Sequence, residues 1–243
     1  MSKPQAPEHK PRPLLDVAVS IIVPSIILMK LSGHDDLGPE GALITALSFP
    51  VAWGLYELLR HQKKNFIALL GLISVLLTGG IGLLQLDNHW LAVKEAAIPG
   101  IIGLAVLASS YTRYPLVRTL LFNPAVIDVA KVQQQLAQSG QTALFERNLR
   151  RANFLLAGTF VFSSTMNYIL AKWLVTSPPG TEAYNEELGE MTLLSYPIIA
   201  VPSMIMMLGI MFYLWRTLRT LAGLTLEDII PGLQEESEDR TGS

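Results

Sequence analysis

Long apolar blocks, almost free of charge, constrain this chain more than any other feature. Six stretches, residues 14–29, 41–59, 66–86, 92–110, 153–175 and 193–215, are apolar over lengths close to the roughly 20 residues a helix needs to cross a hydrocarbon core of about 30 Å. Charged residues make up 16% of the sequence and cluster between these blocks. A buried helix of a soluble domain could mimic one block, but six in succession point to lipid as the solvent. The expected fold is therefore all-α, a polytopic bundle of about six transmembrane helices. The first block is short and contains Pro24, so its ends are expected in the interface.

Basic residues give an independent test of that count. With the N-terminus placed inside, fifteen of the 18 lysines and arginines fall in cytoplasmic segments. These are Lys3, Lys10 and Arg12, then Arg60, Lys63 and Lys64, then Arg113, Arg118, Lys131, Arg147, Arg150 and Arg151, and finally Arg216, Arg219 and Arg240. Lys30, Lys94 and Lys172 remain for the outer side. Removing any one span would reverse every later segment and spoil the pattern, so both ends are expected in the cytoplasm. The basic start resembles a signal sequence, but no small-x-small cleavage site follows, which makes the first span an uncleaved one. Trp90, Trp173, Tyr184 and Trp215 lie near span ends, as interfacial aromatics do. The expected layout is a cytoplasmic tail over 1–13, a transmembrane domain over 14–220 with a cytoplasmic loop at 111–151, and an acidic, disordered tail over 221–243.

Within that loop, Asn123-Pro124 fits a helix start, with Asn123 as cap and Pro124 in the first turn. Val126, Val129, Ala130, Leu136 and Ala137 then form a partial apolar stripe, interrupted by Gln133 and ended by Gly140. With Lys131 and the cluster Arg147, Arg150 and Arg151, the segment could lie against anionic headgroups or a partner protein. It could equally be an ordinary connecting helix. Leu47-Ser48-Phe49-Pro50 and Leu194-Ser195-Tyr196-Pro197 form a faint internal echo of the kind found in duplicated transporters.

The residues that could carry chemistry concentrate around the third and fourth blocks. Gly79, Gly80 and Gly82 either let a neighbouring helix approach closely or loosen the helix so that its carbonyls line a cavity. Asp87, Lys94 and Glu95 frame the turn into the fourth block, as a salt-bridged hairpin at the membrane edge or as a solute or proton site. His34, Asp36, Asp87 and His89 offer imidazoles and carboxylates, but they come from two separate loops without the i, i+4 spacing of a helical metal site, so no metal and no other cofactor is expected. Cysteine is absent, which removes disulfides and thiolate chemistry, and a net charge of -2 argues against a nucleic-acid footprint. Neither a P-loop nor a nucleophile elbow, zincin or dinucleotide motif is present, so an enzyme is not expected. Five prolines, Pro24, Pro50, Pro99, Pro197 and Pro202, are expected to bend or break their helices.

From Gly79-Gly80 onward the sequence resembles the intracellular septation protein A family of bacterial inner-membrane proteins. Gly79-Gly80, Asp87, Trp90 and Lys94 match, in order, that family's double-glycine span, acidic turn, aromatic and span-opening lysine. Pro115-Leu116 with Arg118, and the run from Asn167 through Tyr168 to Trp173, continue the likeness, as do Leu15-Asp16 and Lys30. The chain departs from the family at Ala92-Val93-Lys94-Glu95, where one of two lysines is missing. The resemblance implies an inner-membrane location, a non-catalytic role in envelope maintenance or septation, and partners among membrane lipids and other envelope or division proteins. It marks Gly79, Gly80, Asp87, Trp90, Lys94 and Asn167 as site residues. A small-solute or ion transporter is the alternative from a different class.

Overall fold

A computed structural model describes residues 18–60, 66–112, 115–121 and 128–224. Among these residues the fold is all-helical. The helices are α1 (Val23–Lys30), α2 (Gly38–Arg60), α3 (Phe66–Leu83), α4 (Asn88–Ser109), α5 (Leu116–Leu121), α6 (Val129–Gln138), α7 (Thr142–Leu174), α8 (Glu182–Ser195) and α9 (Val201–Ala222). Among the described residues, three helical runs are long and apolar enough to cross a membrane: Asn88–Ser109, Thr142–Leu174 and Glu182–Ala222. Ser20–Lys30 and Leu69–Leu83 are shorter apolar helices. Ile101, Leu104, Met204, Ile205, Leu208 and Phe212 are each more than half exposed on these long helices. Stripes of bare apolar side chains like these are rare on a soluble monomer and suit a lipid-facing surface, so length, composition and exposure agree on a membrane protein.

The prolines act through the hydrogen-bond ladder. A π turn over Ala18–Ile22 leads into α1, whose second residue is Pro24, and another over Tyr196–Ala200 leads into α9, whose second residue is Pro202. Proline offers no N–H to the carbonyl four residues back, and widening the preceding turn accommodates the missing bond. Both π turns precede a Val-Pro-Ser sequence, Val23-Pro24-Ser25 and Val201-Pro202-Ser203. Pro50 and Pro99 lie inside α2 and α4, which run on past them without a break.

The chain divides into two compact units, each built from separate stretches. Among the described residues, the first comprises those up to Glu95 together with Asn167–Tyr196, and the second those within Ala96–Met166 together with those from Pro197 to Leu224. In the first unit α1 packs on α2 and α8, and α3 packs on α2. Close packing explains two of the three glycines clustered near the end of α3, Gly79, Gly80 and Gly82. A Cβ on Gly79 would lie 2.8 Å from Leu47 Cδ1, and one on Gly82 would lie 2.6 Å from Cδ2 of the buried Leu43. Nothing lies within 4 Å of the corresponding position on Gly80. The helix stays wound through all three, so packing, rather than loosened carbonyls, accounts for Gly79 and Gly82. Gly82→Ala should therefore cost about 1–3 kcal/mol by overpacking, while Gly80→Ala should gain about 0.5–1 kcal/mol from reduced chain entropy. The unfolding midpoints of the two variants in a detergent–SDS titration should shift in opposite directions.

The second unit is held by a core of Val106, Val117, Val132, Leu136, Phe145, Leu149, Ala152, Leu156, Ile210, Leu214 and Leu218. Phe145, Leu149, Ala152 and Leu156 recur at the i, i+4, i+7, i+11 spacing of one helical face. α6 begins at Val129, with Asp128 Oδ1 accepting from the Lys131 N–H at 2.9 Å; Asn123 and Pro124, expected to start it, lie outside the described residues. Its apolar face is Val132 and Leu136, both buried in the core, while Ala130 and Ala137 are exposed. α6 thus packs its apolar stripe into the core as a connecting helix does, which leaves the basic residues as the part of this segment that could meet headgroups or a partner. Arg147, Arg150 and Arg151, within the connecting segment 111–151, stand on the first part of α7, where all three are exposed.

Candidate functional site: a polar cavity in the first unit

α3 ends in a tight turn after Leu83. Leu86 N–H donates to the Ile81 carbonyl at 2.9 Å, and Gln85 takes the left-handed conformation (φ 51°) that glycine usually occupies there. Asp87 then opens α4, its Oδ1 accepting from His89 N–H at 2.7 Å. Asn88 ties that start to the segment after α7, its Nδ2 donating to the carbonyls of Val175 at 3.1 Å and Ser177 at 2.8 Å. With the first turn fixed, helical spacing sets the direction of the next. Leu91 is fully buried, and Lys94 and Glu95, one turn on, share its inward face.

There they meet a cavity of about 220 Å³, formed wholly by first-unit residues. Its polar lining is Ser20, Ser25, Ser74, Thr78, Lys94, Glu95, Asn167, Thr192 and Ser195, set among Pro24, Leu28, Leu47, Pro50, Val75, Leu170, Leu188 and Met191. Lys94 Nζ donates to Thr78 Oγ1 at 2.7 Å and to Glu95 Oε1 at 2.6 Å. The Lys94 side chain is 9% exposed and that of Glu95 23%. Thr78 in turn donates to the Ser74 carbonyl at 3.1 Å. Ser25 is 1% exposed, and its Oγ has no partner among the described residues.

The structure gathers some of the expected site residues and scatters others. Lys94 and Asn167 line the cavity together, and Gly79 sits against Leu47 in its wall. Asp87 instead caps α4 and is exposed, and Trp90 lies 58% exposed beside His89, ring centroids 6.2 Å apart. Of the three charges that frame the turn, Lys94 and Glu95 pair with each other, while Asp87 caps the helix start and forms no salt bridge among the described residues. His34 and Asp36 are exposed in the segment between α1 and α2, and among the described residues no group of three or more histidine or acidic side chains is placed to hold a metal. Sequence reasoning missed Ser25 and Thr78, small hydroxyl residues in apolar helices whose inward direction follows only from packing. The two echo sequences both contribute, Leu47 and Pro50 from one and Ser195 from the other.

No family model, curated protein or solved structure matches the chain, so its function has to be argued from this site and from the class that the apolar helices define.

Proposed function

We propose that this chain is a non-enzymatic, six-span protein of the bacterial inner membrane, with both ends in the cytoplasm, whose first unit binds a small polar solute and passes it across the membrane. One observation carries this reading: a lysine only 9% exposed, held by Thr78 and Glu95 on the wall of a polar cavity. Taking a charged pair out of water costs several kcal/mol that its mutual attraction only partly returns, so a pair retained in an apolar helical unit is best explained by use. The absence of cysteine provides a clean probe, because Ser195→Cys would be the single thiol. In proteoliposomes that thiol should react with a membrane-impermeant methanethiosulfonate from at least one side, and Lys94→Gln should lower solute flux about tenfold or more. A thiol unreactive from both sides, with no flux above empty liposomes for amino acids, polyols and inorganic ions, would sink the proposal.

The exposed basic face of α7 favours a second reading. Arg147, Arg150 and Arg151 lie at i, i+3 and i+4, opposite the buried Phe145–Leu149 stripe, and such a face suits anionic lipid headgroups or an acidic partner. With the resemblance to the septation protein A family, it supports a role in envelope maintenance or septation. A deletion strain should then show filaments or misplaced septa that wild type cures and an Arg147, Arg150, Arg151→Gln variant does not. Normal morphology in the deletion strain would remove this reading.

A further inference from the structure

We infer that the ligand of this cavity is a small zwitterion, an ammonium and an acid anion joined in one net-neutral group, which binds by opening the Lys94–Glu95 pair. The inference rests on the solute-binding reading above. Among the described residues lining the cavity, Lys94 and Glu95 alone are charged, so the site is electroneutral. A solute with net charge would bring an uncompensated ion into a low-dielectric interior, which is costly; a net-neutral one would not.

The donors and acceptors sort the neutral candidates. An ammonium has three protons, and Lys94 commits one to Thr78 Oγ1 and one to Glu95 Oε1, leaving a third for an anion. Thr192 and Ser195 donate to the carbonyls of Leu188 at 2.9 Å and Thr192 at 2.7 Å, so toward the cavity they present lone pairs, which suit an ammonium. The buried Ser25 hydroxyl, without a partner among the described residues, supplies a further donor for the anion. A zwitterion thus replaces one ion pair with two, its anion on Lys94 and Ser25 and its ammonium on Glu95 and the hydroxyl oxygens. A polyol could hydrogen-bond to both charges but would form an ion pair with neither. At about 220 Å³ the cavity holds roughly seven waters' worth of liquid volume, the scale of a small amino acid rather than a peptide.

Equilibrium dialysis of the purified full chain in maltoside detergent tests this, with radiolabelled L-alanine as probe and acetate, methylammonium and glycerol as comparisons. Alanine should bind, and each comparison solute about tenfold more weakly or worse. Lys94→Gln and Glu95→Gln should each lose alanine binding about tenfold or more, and Ser25→Ala about three- to tenfold. Should a neutralised variant fail to fold, Ser25→Ala carries the test, because its hydroxyl supports no other described group. Glycerol, acetate or methylammonium binding as tightly as alanine, or unchanged alanine binding in Ser25→Ala, overturns the inference. If glycerol binds and shields a cysteine at 195 from labelling, the zwitterion fails while the solute reading stands; if nothing binds and that cysteine is unreactive, the solute reading fails as well. The phosphoethanolamine head of a lipid carries the same paired charges. Displacement of bound alanine by solubilised phosphatidylethanolamine would make the lipid head the source, and undisturbed binding would make it the free solute.

Discussion

Asn153→Ala should lower the stability of the second unit by about 3 kcal/mol, the sum expected when one side chain strands several buried polar groups. Asn153 is fully buried where the C-terminal end of α4, the start of α5 and α7 meet. Its Nδ2 shares its two protons among three acceptors, the Val106 carbonyl at 2.7 Å, Ser110 Oγ at 2.7 Å and Ser109 Oγ at 3.0 Å, while its Oδ1 accepts from Val117 N–H at 2.9 Å. Truncation leaves the Val117 donor without its partner in a core of valine and leucine, where water cannot replace it without opening the packing. Unfolding by SDS titration from mixed micelles, followed by circular dichroism, should show the midpoint shift. An unchanged midpoint would mean that the four bonds form no cooperative network.

Gly189→Leu should be at least as damaging in the first unit. A Cβ at residue 189 would lie 2.9 Å from the Ser25 carbonyl oxygen, 2.8 Å from Met29 Cγ and 3.3 Å from Leu28 Cβ. One of these atoms is backbone, so no rotamer change relieves the contact, and α8 must move off α1. Glycine to alanine alone should cost about 1–3 kcal/mol, and leucine more. Because Ser25 and Leu188 both line the cavity, the displacement should also weaken solute retention, whereas the α7 arginines, in the other unit, should be untouched. Comparing the unfolding midpoint with thiol reactivity at a cysteine placed at 195 checks both effects. A leucine variant with wild-type stability would refute close packing at this site.

Much of the architecture is legible in the sequence because it rests on chain length and solvent. Most of the described part of each of the six apolar blocks falls on helix: 66–86 on α3, which stops at Leu83, and 153–175 on α7, which begins much earlier, at Thr142. That early start is hidden in the sequence because residues 142–152 mix arginine and asparagine with Phe145 and Leu149, a pattern that suits a loop as well as a helix until the buried face is known. Similarly, the stripe expected on α6 omits Val132, the residue that packs deepest, because the helix starts at Val129 under an Asp128 cap.

The site was only half legible. Lys94 and Asn167 stand out as polar residues in apolar runs, yet nothing in the order of residues says that Lys94 turns inward while Asp87 caps a helix and Trp90 stays outside. In water a helix declares its buried face by contrast between polar and apolar sides. A helix apolar on every side gives no such contrast, because lipid and protein core are equally acceptable to leucine. The sequence by itself therefore determined that the chain is helical, apolar enough for a membrane, and without cysteine chemistry. Which face of each helix turns inward, and hence the meeting of Ser25, Thr78, Lys94, Glu95 and Asn167 around one cavity, was decided by tertiary packing alone. There the small residues Gly79, Gly82 and Gly189 set how closely the helices approach.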